Sequence, residues 1–189
     1  MGNKVKYGLS NVHISKITYG SNNEITYETP FALPGAVSIS LDPVGESADF
    51  PADNTIYFRD STNQGYAGTL EIALINDKFR EDILGQFKDI NGAFIESKDD
   101  KLSDFALGCQ FEGDSTGTRY WFYKCSVSRP GIASQTIETS KTPVTDTLNI
   151  NMSARVSDGQ VKVHLTKNDD NATAYNGFFN EVYEKQISA

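Results

Sequence analysis

The sequence predicts a mainly β protein, an antiparallel β-sandwich or barrel with one short flanking α-helix and a C-terminal helix. Three observations carry that reading. Apolar residues recur at every second position in several separate segments, turns bearing glycine separate segments whose apolar positions match in pairs, and only two segments show helical spacing.

Val37, Ile39 and Leu41 alternate with Ala36, Ser38 and Ser40, which predicts a strand with the first set inward. Leu70, Ile72 and Leu74 alternate with Thr69, Glu71 and Ala73 after the turn-like Asn63-Gln64-Gly65. Leu148, Ile150 and Met152 alternate with Thr147, Asn149 and Asn151, and Val161, Val163 and Leu165 with Lys162 and His164 after Asp158-Gly159. Between them, Phe105, Leu107, Cys109 and Phe111 match Trp121, Tyr123, Cys125 and Val127 across the turn from Gly113 to Gly117.

If Gly113 faces Gly117 in that hairpin, Cys109 faces Trp121 and Cys125 faces Phe105. The thiols are then four residues out of register. At about 3.4 Å per residue that is about 14 Å, roughly twice the reach of a disulfide. Two reduced, buried thiols acting as small apolar side chains are expected.

The first helical segment starts at Asn76, a capping residue, places Asp77 in its first turn, spaces Phe79 and Ile83 four apart, and stops at Gly85. The second spaces Tyr175, Phe178, Phe179, Val182 and Tyr183 as one helical face, expected to lie as a lid on a sheet. From Asp42 to about Gln64 the alternation thins around Pro43, Gly45 and Pro51, and the segment reads as a long loop with a strand near Ile56 and Phe58. No composition shift divides the chain, so residues 1–189 are read as one domain.

Composition narrows the function. The net charge of −8 argues against a protein that neutralises DNA phosphates in a basic groove. No apolar run reaches the roughly 18 residues that span a bilayer, and the start, Met1 to Lys6, lacks a signal segment, so a cytosolic protein without a membrane partner is expected. Lys6 stands where an N-myristoylation pattern wants Ser or Thr, so no lipid anchor is expected.

Patterns that carry chemistry are missing. His13 and His164 are in no metal-ligand spacing, and no nucleophile elbow, phosphate loop or dinucleotide fingerprint occurs. Asp99-Asp100 and Asp169-Asp170 lack the alternating oxygen ligands of a calcium loop and read as solvated turns. No catalytic residue, metal or cofactor is therefore expected. What stands out is the outward set of three strands: Ser38, Ser40, Thr69, Glu71, Thr147, Asn149, Asn151 and Ser153 are short, neutral or acidic, and never basic.

Taken in order, several segments resemble the major tail proteins, or tail-tube proteins, of siphoviruses that infect Gram-positive bacteria. They are Lys6-Tyr7-Gly8-Leu9-Ser10-Asn11-Val12-His13, the block from Pro34 to Pro43, Ala52-Asp53-Asn54, the stretch from Asn63 to Leu74, and Phe79 to Gly85. Phe105-Ala106-Leu107, Phe111-Glu112-Gly113-Asp114, Ser128-Arg129-Pro130, Asp146-Thr147-Leu148 and Phe178-Phe179 extend the likeness over nearly the whole chain. It rests on order and spacing, with no single diagnostic motif.

The resemblance implies a structural virion protein, not an enzyme, that is assembled in the host cytoplasm and resides in the phage tail. It implies a β-sandwich subunit forming a homo-oligomer of hexameric rings, stacked into a tube through which DNA passes without specific binding. Tape measure, tail terminator and distal tail proteins are the partners it implies. On that reading Ser38, Ser40, Thr69, Glu71, Thr147, Asn149 and Asn151 are expected to face the lumen. Asp42, Glu46, Asp49 and Asp53, together with the N-terminal residues, are expected to contact the next ring.

Two other readings of the residues stay open. A carbohydrate-binding sandwich would stack sugars on exposed aromatics such as Tyr57, Tyr66 or Tyr120, and a β-sandwich hydrolase would use two carboxylates such as Glu71 and Glu112 about 5–9 Å apart.

Overall fold

The computed structural model describes residues 3–21, 24–136 and 143–186. Among them the strands are, in chain order, β1 (Lys6–Tyr19), β2 (Ile25–Tyr27), β3 (Phe31–Ala32), β4 (Ala36–Val44), β5 (Ser47–Ala52), β6 (Thr55–Ser61) and β7 (Gly65–Ile72). They continue as β8 (Phe87–Lys88), β9 (Phe94–Ile95), β10 (Phe105–Gly113), β11 (Thr118–Val127), β12 (Asp146–Ser153) and β13 (Lys162–Thr166), with helices α1 (Asp77–Asp82) and α2 (Ala172–Asn176). The protein is mainly β, as the alternation predicts.

The main sheet runs β2-β1-β10-β11-β12-β7-β4, with β13 also beside β11 and β3 beside β1, and every pairing is antiparallel. Strand β11 changes partner along its length. Thr118–Phe122 pair with β13, whereas Lys124–Val127 pair with β12. At the junction Phe105 faces Cys125 and Leu107 faces Phe122, so Ala106 stands opposite two residues, Tyr123 and Lys124. Such a bulge bends its strand and raises the local twist. It divides the sheet into a layer β2-β1-β10-β11-β13 and a layer β12-β7-β4, a sandwich-like arrangement.

The bulge also corrects the expected hairpin register. Phe111 faces Thr118 and Cys109 faces Tyr120, one residue away from the pairing of Cys109 with Trp121, and the extra residue then restores Cys125 opposite Phe105. A one-residue offset turns side chains to the other face. Phe122, Cys125 and Val127 accordingly join Phe105, Leu107 and Cys109 in the core between the layers, while Trp121 and Tyr123 point out of it.

That inner core is completed by Leu70, Ile72, Leu148, Ile150 and Met152 from the second layer and by α1 at one end. The Asn76 side chain accepts the Phe79 N–H at 2.9 Å, which starts the helix as its capping chemistry predicts. Phe79 and Ile83 are fully buried, and the Phe79 ring meets Phe105 edge-on at 5.9 Å. Burial of each such side chain contributes about 1.5–3 kcal/mol. Gly85, at φ +71°, turns the chain out of the helix.

Two inward expectations fail for local reasons. A register shift between Ala36 and Ser38 leaves Val37 unpaired and 52% exposed, and Ala36, Ile39 and Leu41 pack on the core instead. Strand β7 ends at Ile72, so Leu74 is 69% exposed and Ile75 goes inward, its N–H donating to Asp146 Oδ2 at 3.0 Å.

The C-terminal helix is a single turn, α2, shorter than its aromatic spacing suggests. Tyr175, Phe178, Phe179, Val182 and Tyr183 nonetheless dock together on the sheet, covering Trp121, Tyr123 and Ala106 on the outer face of the first layer. Donors on the sheet take the backbone acceptors that a longer helix would use. Trp121 Nε1 donates to Phe178 O at 2.7 Å, Tyr123 Oη to Tyr183 O at 2.9 Å, and Arg119 Nη1 to Tyr175 O. Arg155, with its side chain only 7% exposed, lies over the Tyr123 ring and clamps Glu184 at 2.5 Å and Asp158 at 2.6 Å, which fixes the end of this tail.

Both cysteines are free and buried. Burial pushes the Cys109 thiol up to about 12 and raises that of Cys125 as well, so both stay protonated. A thiol reagent is expected to leave the native protein unmodified at pH 8 to 9 and to label both cysteines once denaturant is added. Rapid labelling of the folded protein would contradict this packing.

Gly68 on β7 lets β4 approach closely, since a Cβ there would lie 1.9 Å from Ser40 O. Gly68→Ala is expected to push β4 away and lower stability by about 1–3 kcal/mol in urea denaturation. An unchanged midpoint would refute the close approach.

Candidate functional site

The polar positions of three strands form one surface because those strands are neighbours. In antiparallel pairs, residues directly opposite share a face. Ser38 on β4, Glu71 on β7 and Thr147 on β12 form one row, and Ser40, Thr69 and Asn149 form the next. Asp42, Ala67 and Asn151 make a third row, and the face continues through Ser126 on β11. All seven residues expected on the lumen side therefore stand together, each exposed or half-buried, with no basic side chain in these rows.

Glu71 anchors this face. Its Oε1 accepts from Thr145 Oγ1 at 2.5 Å and its Oε2 from Ser38 Oγ at 2.9 Å. These two hydrogen bonds, the Thr145 one first, hold its carboxyl below the ordinary glutamate value. Lys124 on β11 stands opposite Ser153, one row beyond Asn151 and Ser126, and lies 4.0 Å from Asp104. Within the three rows the polar groups are hydroxyls, amides and carboxylates, which offer a phosphate backbone no counter-charge.

The segment from Asp42 to Gln64 is not a loop. It extends β4 and then forms a two-stranded ribbon, β5–β6, joined by Asp53 and Asn54, both with positive φ (+49° and +62°). Two successive positive-φ residues make the turn type that matches strand twist. Of the residues expected at a ring contact, Asp42 lies within β4 opposite Ala67, Glu46 precedes the ribbon, Asp49 pairs with Arg59 through two contacts of 2.6 and 2.8 Å, and Asp53 sits at the tip. The strand expected near Ile56 and Phe58 is β6, whereas its partner β5 is hidden in the sequence because Pro51 and the bulge between Phe50 and Pro51 break the alternation. Its missed signal was Asp53-Asn54, a pair suited to a two-residue turn. Met1 and Gly2, at the start of the N-terminal segment also expected there, lie outside the described residues.

Of the residues that the other readings name, Tyr66 and Tyr120 come together around Phe122. Tyr57 is exposed on the ribbon, whereas Tyr66 and Tyr120 are half-buried against Phe122 at 6.1 and 6.3 Å. Glu71 on β7 and Glu112 on β10 have two strands between them in the sheet order and hold separate partners, Thr145 and Ser38 for Glu71, Ser10 and Gln110 for Glu112. His13 stacks on Phe179 at 4.6 Å and His164 on Tyr120 at 5.5 Å. Among the described residues no three His, Cys, Asp or Glu gather as a metal-binding group, and no helix is long and apolar enough to cross a membrane. The chain matches no protein-family model and no curated protein.

Stability should follow the titration of Glu71. A carboxylate whose folded pKa lies below its unfolded value of 4.5 stabilises fully above that pH, and the contribution is lost as pH falls through the folded value. Glu71→Gln is expected to flatten the acid side of the stability profile in denaturation series from about pH 6 to 3. An acid limb identical to that of the parent protein would exclude this role.

Proposed function

We propose that this chain is a structural subunit that assembles, in the manner of siphovirus major tail proteins, into hexameric rings stacked as a tail tube for DNA passage. The observation that carries the proposal is the continuous short, neutral-to-acidic face on β4, β7 and β12, exposed along with an unpaired sheet edge. Among the described residues β4 pairs only with β7 and β13 only with β11, so each offers backbone donors and acceptors to another chain. An edge of one copy joined to a different edge of the next is a heterologous contact, which closes into a ring or extends as a filament.

In that assembly Ser38, Ser40, Thr69, Glu71, Thr147, Asn149 and Asn151 line the channel and keep the duplex from adhering. The β5–β6 ribbon, with Glu46, Asp49 and Asp53, contacts neighbouring subunits. The tape measure protein fills the lumen before ejection, and terminator and distal tail proteins close the ends. A carbohydrate-binding role has less support, because only one of its three tyrosines stands free of the fold.

Negative-stain microscopy of concentrated protein, seeded with tail-tip complexes, should show hollow filaments. Persistent monomers with seeds present would refute the proposal. Adding cations to the face with Thr69→Lys and Asn149→Lys is expected to leave assembly intact while making the tubes bind duplex DNA at about 0.15 M salt. Equal DNA binding by parent and variant tubes would remove these residues from the channel.

A further inference from the structure

The two layers part at an opening lined by Lys6, Ile39, Leu41, Tyr66, Phe111 and Tyr120, with Phe122 at its floor and Lys162 at its rim, enclosing about 260 Å³. That is below the roughly 300–1,000 Å³ of ordinary small-molecule pockets and suits one or two side chains. Its cations lie against its rings: Lys6 Nζ is 5.4 Å from the Phe111 centroid, and Lys162 Nζ is 4.4 Å from that of Tyr66 and 2.7 Å from its hydroxyl. Among the described residues neither lysine has a carboxylate within ion-pair distance.

The β5–β6 ribbon has the complementary chemistry. Phe50 and Phe58 stand directly opposite each other and are 61% and 59% exposed. Asp60, opposite Ala48, lies one pair further along the same face, away from the face where Asp49 holds Arg59. From Asp42 to Gln64 there are five carboxylates against the single cation Arg59. A lone two-stranded ribbon with its aromatic pair in water is marginal by itself, so this one gains most from a surface to lie on.

We propose that the opening receives the ribbon of a second copy of the chain, with Phe50 and Phe58 meeting the aromatic walls and Asp60 pairing with Lys6 or Lys162. The contact rests on the self-assembly proposed above and names the surfaces that carry it. It joins two different patches, so it propagates from copy to copy. The ion pair sets orientation at the rim, and the buried aromatic pair supplies most of the attraction.

The test mixes unlabelled and ¹⁵N-labelled chains under assembling conditions, couples carboxylates to amines with a zero-length carbodiimide, and reads the linked peptides by mass spectrometry. Peptides joining Asp60 to Lys6 or Lys162, with half of them carrying one label of each kind, are expected. Phe50→Ser with Phe58→Ser should raise the concentration needed for assembly about tenfold or more, while the circular dichroism of the monomer stays unchanged. Assemblies whose cross-links avoid these residues would overturn the contact and leave the tube reading standing. Links confined to chains of one label would show the ribbon folding onto its own opening and would also overturn it. Protein that never assembles would remove both.

Discussion

The extra residue in β11 is the constraint on which the rest of the structure depends. Tyr123 and Lys124 share the place opposite Ala106, and at that point β11 exchanges β13 for β12 as its neighbour. Without the bulge one long strand would hold a single broad sheet, with one apolar face left in water. With it, the strand contributes to both layers, and its side chains divide between two cores. Phe122, Cys125 and Val127 fill the space between the layers, and Trp121 and Tyr123 form the floor on which the C-terminal tail lies.

The same division sets what each surface can do. The outer face of the first layer is occupied by the chain's own tail, held by Trp121, Tyr123, Arg119 and Arg155. Among the described residues no such cover lies on the second layer, and its outward rows are exposed or half-buried. A strand edge without a partner invites pairing with another chain. Pro43 within β4 and the unpaired Val37 limit where such pairing can run, because proline has no N–H to donate and a bulge breaks the ladder. The ribbon carries the reach of the molecule beyond its own core, with apolar rings on one face and an ion pair on the other.

Much of this was legible in the residues. Strong alternation located β7, β12 and β13, Asn76 and Gly85 marked α1, and the short uncharged or acidic side chains of β4, β7 and β12 identified the polar face. Those signals are local, because side chains alternate within a strand and caps act within a turn. Strand β5 escaped because proline and a bulge interrupt its period, and beyond α2 the aromatic run docks on the sheet, where the Trp121 indole and the Tyr123 hydroxyl bond the carbonyls of Phe178 and Tyr183.

By itself the sequence determined that the chain builds antiparallel strands with apolar interiors, keeps its two thiols apart, and presents hydroxyls, amides and carboxylates outward. Tertiary structure alone decided that β4, β7 and β12 are neighbours, that Cys109 meets Tyr120, and that Trp121 faces the tail. Alternation encodes which residues share a side of one strand, but strand order and register depend on contacts between residues far apart in the chain. A single added residue in one of those ladders reverses every side chain beyond it.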